Sequence, residues 1–119
     1  MALTEELPVY RAIYKLLMQI LDARDHFPKA YKYEFGTELM MVGVKCCELI
    51  RYANSDKQNR VHWLQEFLVK FDTLRLLLRI CQDRKIVSIK QCAEMLLSID
   101  EIERQITGWR NASSRKPGL

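Results

Sequence analysis

The feature that most constrains this chain is its apolar periodicity. Four times in succession, apolar residues recur at alternating steps of three and four, and short breaks rich in turn formers separate the segments. That spacing lays one apolar stripe along each of four helices and leaves no strand to pair with. Four such stripes are hidden most simply by an all-α, up-down-up-down antiparallel four-helix bundle. The helices are expected over residues 8–25, 34–54, 56–84 and 89–111, so that residues 1–111 make the bundle and residues 112–119 a basic flexible tail.

The first helix opens near Pro8, a residue favoured at the first helical position, and carries Val9, Ile13, Leu16, Ile20 and Phe27 near one line. A second line, Tyr10, Tyr14, Leu17 and Leu21, runs beside it. The helix stops before Phe27-Pro28, because a residue ahead of proline is pushed out of helical geometry. Lys29 to Tyr33 reads as a basic, aromatic connector. The second helix carries Phe35, Leu39, Val42, Cys46, Leu49 and Ala53, with Gly36 and Gly43 on one face. Those glycines are expected to mark a close helix approach rather than a ligand site. The third helix is expected to start from a capping box of Ser55 with Gln58 and to bury Leu64, Phe67, Phe71, Leu74, Leu78 and Cys81. The fourth starts from Ser88 with Gln91 and carries Cys92, Leu96, Ile99, Ile102, Ile106 and Trp109. Every connection is short, so successive helices should be antiparallel neighbours.

At 119 residues the chain makes one domain. No apolar run approaches the ~20 residues of a membrane span, and the N-terminus lacks a signal peptide's features, so a cytoplasmic protein with no membrane partner is expected. The cysteines, Cys46, Cys47, Cys81 and Cys92, all fall inside helical patterns and form no C-x-x-C pair. They are expected to be small core hydrophobes, not zinc ligands or disulfides. The net charge is +4. Removing the last dozen residues, with Arg110, Arg115 and Lys116, leaves about +1 on the bundle. A mildly basic body with a basic tail is compatible with a polyanion partner without requiring one.

No catalytic constellation is visible. A carboxylate-bridged metal pair in a bundle needs Glu-x-x-His, yet Ala23 precedes His26 and Asn59 precedes His62 at that spacing. Neither phosphate-cradling glycine motif is present. We therefore expect no enzyme, no cofactor and no metal site.

The run Leu74-Arg75-Leu76-Leu77-Leu78-Arg79-Ile80 is unusual. Leu74 and Leu78 follow the core line, Leu76 and Ile80 project to the far side, and Leu77 lies between. A helix apolar nearly all round is covered on more than one side, so Leu76, Leu77 and Ile80 are expected at an interface with another subunit. Arg75 and Arg79 stand one turn apart at the flank of the core stripe. They either pair with Asp72 or an acid on a neighbouring helix, or offer guanidinium forks to phosphate. Arg84, Lys85, Arg104 and Arg110 add cations at several levels, and Lys29 and Lys32 mix with Tyr31 and Tyr33, whose rings could stack on unpaired bases.

Taken in order, these residues resemble the accessory variability determinant (Avd) family, small four-helix-bundle proteins encoded beside the reverse transcriptase of diversity-generating retroelements. The resembling pieces are Leu7-Pro8-Val9-Tyr10 leading Tyr14-Lys15-Leu16-Leu17, Phe27-Pro28-Lys29 followed by Tyr31-Lys32-Tyr33 and Gly36, and Leu49-Ile50 with Ala53-Asn54-Ser55. Leu74-Arg75-Leu76-Leu77-Leu78-Arg79 and Gly108-Trp109 complete the set, so the likeness runs from Leu7 to Trp109. Bundle proteins encoded in intervening sequences of bacterial large-subunit ribosomal RNA genes share the Phe-Pro-basic step. The leucine-arginine run and Gly108-Trp109 favour the Avd side.

The resemblance implies a non-enzymatic accessory protein that assembles as a ring-like homopentamer and binds its reverse transcriptase and RNA or an RNA/DNA hybrid. It would thereby support mutagenic cDNA synthesis from a template repeat. Five copies would raise the charge to about +20, enough for salt-sensitive polyanion binding. The family is often more basic than this chain, which shifts weight from RNA affinity to the enzyme contact. The residues expected at nucleic acid or reverse transcriptase are Lys29, Lys32, Arg75, Arg79, Arg84, Lys85, Arg104, Arg110, Arg115 and Lys116. The alternatives are a protein of the ribosomal intervening-sequence type and a structural interaction module with no nucleic-acid role.

Overall fold

The structure, a computed structural model, describes residues 3–115. Five α-helices follow a 3-10 turn at Thr4–Glu6: α1 (Pro8–Arg24), the single turn α2 (Lys29–Lys32), α3 (Glu34–Ser55), α4 (Arg60–Asp83) and α5 (Ile89–Ser113). No strand occurs among the described residues. The four long helices lie side by side, α1 against α3, α3 against α4, α4 against α5 and α5 back against α1, in a body 55 × 22 × 20 Å.

Side-chain locks show that neighbours run antiparallel. At one end, here the Arg60 end, Asn54 Nδ2 donates to Thr4 Oγ1 at 3.1 Å. There the Arg60 fork also donates to the carbonyls of Ala53 (2.7 Å) and Asn54 (3.1 Å), which α3 leaves open at its C-terminus, while its guanidinium lies over Trp109. At the other end, the Tyr31 end, Arg24 donates to Lys32 O at 3.0 Å and Thr37 Oγ1 at 3.2 Å, tying α1 to α2 and α3.

The core is continuous through all four long helices. Every residue of the α4 line expected in the core is buried, and Phe67 and Phe71 stack at 5.2 Å with almost no exposure. On α5 the expectation needs one correction: Met95 is buried and Leu96 is 40% exposed. The inward line steps 92, 95, 99, 102, 106, which carries Leu96 round toward the flank of α4. On α1, Tyr14 is exposed rather than inward.

Helix ends differ from expectation in three places. The Ser55–Gln58 capping box does not form. Ser55 ends α3 with its hydroxyl donating to the Arg51 and Tyr52 carbonyls, and α4 begins only at Arg60 after Asp56 has accepted the Asn59 N–H at 3.2 Å. The connector at Lys29 contains a helical turn started by Pro28, whose carbonyl accepts from Tyr31 and Lys32. At the C-terminus α5 continues past Asn111 to Ser113. The Ser88–Gln91 box forms as expected. α4 stops in a Schellman turn: Ile86 N–H donates to Cys81 O, Lys85 N–H to Gln82 O, and Lys85 takes a left-handed φ of 57° while Ile86 buries its side chain.

Candidate interaction surfaces

The cations singled out in the sequence separate into three groups. Lys29, Lys32, Arg84 and Lys85 gather at the Tyr31 end, where helix termini bring α2, α4 and α5 together, and Lys90 of α5, absent from the expected set, joins them. Arg84 donates through Nε (3.1 Å) and Nη2 (2.8 Å) to the Tyr31 hydroxyl and lies over its ring. Those bonds raise the Arg84 pKa above its ordinary value. Tyr31 also meets Phe35 edge-on at 6.4 Å. Its ring is therefore engaged within the chain, whereas Tyr33 is 62% exposed and available to stack on a base.

The second group lies along the seam between α4 and α5. Arg75 reaches across to Glu103, with Asp100 at 4.0 Å, Arg79 pairs with Asp83 at 3.7 Å, and Arg104 pairs with Glu101. Of the two arrangements left open for Arg75, the bond to an acid on a neighbouring helix is the one present; the acid is on α5 and not Asp72. Hydrogen bonds from Gln105 and then Arg104 hold the Glu101 carboxyl below its usual range. The exposed pairs of Arg79 and Arg104 are weak and readily exchanged for a phosphate or an acidic partner, whereas Arg75 Nη2 is itself buried where it meets Glu103.

The third group is at the Arg60 end. Arg110 donates weakly to Gln65 Oε1 and Asn111 Oδ1, both at 3.4 Å, and Arg115 is exposed. Lys116 lies outside the described residues.

The apolar expectation on α4 has a clear geometry. Leu76 is 58% exposed and Ile80 is on the surface with it, pointing directly away from the core line, while Leu77 is half-buried against the core. Val69, also exposed, extends the stripe by two turns and was overlooked in the sequence, although it stands seven residues before Leu76 and so shares its face.

Three of the thiols, Cys46, Cys47 and Cys81, stay protonated at neutral pH. Burial pushes Cys46 and Cys81 up to about 12, and Cys47 to about 11. No group of histidine, cysteine and carboxylate side chains suited to a metal ion occurs among the described residues, and no helix among them is long and apolar enough to cross a membrane.

What the fold presents, then, is a class: a four-helix bundle whose distinctive features are surfaces, one apolar stripe and scattered clusters of cations. Its identity comes from comparison, since a model of the bAvd-like family matches residues 8–113. The chain belongs to the bAvd-like family. No curated protein matches it.

Proposed function

We propose that this protein is a non-enzymatic accessory factor of a diversity-generating retroelement, acting as a homo-oligomer that binds the cognate reverse transcriptase together with RNA or an RNA/DNA hybrid. The observation that carries the reading is the family match across nearly the whole chain. Two features of the bundle support it. The outer α4 stripe of Val69, Leu76 and Ile80 gives an apolar surface for a neighbouring subunit, as the ring-like pentamer of the resemblance requires. The cations at the Tyr31 end, with exposed Tyr33 beside them, give a surface for phosphate and bases. The seam arginines Arg75, Arg79 and Arg104 add guanidiniums, of which weak ion pairs hold those of Arg79 and Arg104 ready.

That same pairing favours a second reading, an interaction module that touches no nucleic acid, because all three seam arginines already face carboxylates. Salt separates the two. Binding through phosphate weakens steeply as salt rises, and apolar docking does not. The residue-level test is the double variant Arg75→Glu, Arg79→Glu, assayed for complex formation with reverse transcriptase and RNA. Loss of the complex with both helical content and oligomeric state intact supports the assigned roles; an unchanged complex removes those two arginines from them.

A further inference from the structure

The bundle leaves a second apolar surface open to solvent, on the pair α1 and α3. It is centred where Leu17 lies against Gly43. The positions surrounding Leu17 on its outer side are Tyr14, Met18 and Leu21, and those around Gly43 are Met40, Val44 and Cys47. None carries a charge. Tyr14, Met18 and Val44 are exposed and the other three half-buried. This face differs from the single-helix stripe of α4 in shape and in its charged margins.

We propose that the two surfaces bind each other between copies of this chain: the α4 stripe of one copy docks on the α1/α3 face of the next, with both bundles pointing the same way. The inference rests on the reading that the α4 stripe meets another subunit, and it names what the stripe meets. Charge selects this occupant. Counting helical rise from the Leu17–Gly43 and Tyr52–Trp63 contacts sets Glu66 near the height of Arg51, and Arg79 near the height of Asp25. Around α4, Glu66 flanks the stripe on the side of α3 and Arg79 on the side of α5. When like-oriented copies meet, the α3 side of the stripe faces α3 of the next copy and the α5 side faces α1. Glu66 then opposes Arg51, and Arg79 opposes Asp22 and Asp25, all five exposed. Arg79 would exchange its weak pair with Asp83 for them. Inverting one copy would set Glu66 against Asp22 and Arg79 against Arg51, like charge on like, which disfavours the upside-down pairing.

Such a contact is heterologous, so it continues from copy to copy and ends only by closing into a ring. Every Tyr31 end then lies on the same rim, which pools Lys29, Lys32, Lys85 and Lys90 of all copies into one cationic annulus.

The test uses the whole chain with Cys47→Ser, carrying Val44→Cys, Leu76→Cys or both, treated with a short bismaleimide. The pairing predicts no cross-link for either single variant, a mixed dimer when the two are co-expressed, and a ladder of dimer, trimer and higher species for the double variant. Glu66→Arg should reduce the mixed dimer several-fold, and Arg51→Glu on the other chain should restore it. Cross-linking of Val44→Cys alone would show the face pairing with itself and overturn the proposal. An oligomer by sedimentation whose mixed sample gives no dimer would overturn the pairing while leaving the oligomer reading intact. A monomer would end both.

Discussion

Leu17 of α1 packs so closely on Gly43 of α3 that a Cβ added at Gly43 would come within 2.2 Å of Leu17 Cδ2. The approach is what the paired glycines of the sequence led one to expect, and Gly36 repeats it one turn-pair earlier, where a Cβ would meet Arg24 Nε at 2.7 Å. A Cβ added at Gly108 of α5 would meet nothing within 4 Å beyond its own helix backbone. Gly43→Ala should therefore destabilise by about 1–2 kcal/mol despite its better helix propensity, since it overpacks a buried contact. Gly108→Ala should instead stabilise by roughly 0.5–1 kcal/mol. Urea unfolding of both variants checks the contrast, and Leu17→Ala should shrink the cost of Gly43→Ala.

The Schellman turn that ends α4 seats a lysine where glycine is the ordinary occupant. The left-handed φ of Lys85 costs an L residue about 1 kcal/mol that glycine would not incur. Lys85→Gly should raise thermal stability by up to about 1 kcal/mol. If Lys85 belongs to the cationic end that meets RNA, the same variant should bind RNA more weakly and lose about one unit of salt slope.

Acid should loosen the Arg60 end. Trp63 Nε1 and Asn59 donate to the Asp56 carboxylate and hold its pKa below the ordinary 3.8. A carboxyl depressed in the folded state contributes stability that is present above its unfolded pKa and is lost as pH falls through the folded one. Thermal midpoints should thus stay level down to about pH 4 on account of this group and decline below it. Asp56→Asn should lower the plateau and flatten the acid decline, with Trp63 fluorescence reporting the same change.

Thiol chemistry gives a separate check on the core. With Cys46 and Cys81 near 12 and Cys47 near 11, labelling of these three by a disulfide reagent at pH 7.5 should be slow in the folded chain. Cys47, half-buried, should react first of the three, and all four thiols should react at once in denaturant.

The fold was readable because helical period and burial coincide. The α4 line from Leu64 to Cys81 is entirely inward, and the outward set of Leu76 and Ile80 follows from the same wheel. The structure departs from the sequence expectation where two residues compete for one role. The step from Cys92 to Ile99 leaves Met95 and Leu96 as rival inward positions, and the helix turns Met95 inward. Ser55 and Asp56 are both capping types; the serine bonded back into α3 and left the start of α4 to the aspartate. The candidate surfaces were less legible. Arg75 and Glu103 are far apart in sequence, and only the register of α4 on α5 shows that they meet. The ring of Tyr31, free to stack as far as sequence shows, is occupied by Arg84, brought up by the end of α4. The α1/α3 face was half visible as the line Tyr10, Tyr14, Leu17, Leu21; its other half depends on which side of α3 the glycines turn toward α1.

Sedimentation velocity at micromolar protein tests the central claim, that copies of this bundle assemble through their exposed apolar surfaces, most directly. The account predicts a closed species several times the 14.1 kDa chain mass, reduced toward the single chain by Leu76→Glu with helical content unchanged. A stable species of one chain, unaltered by that substitution, would contradict it.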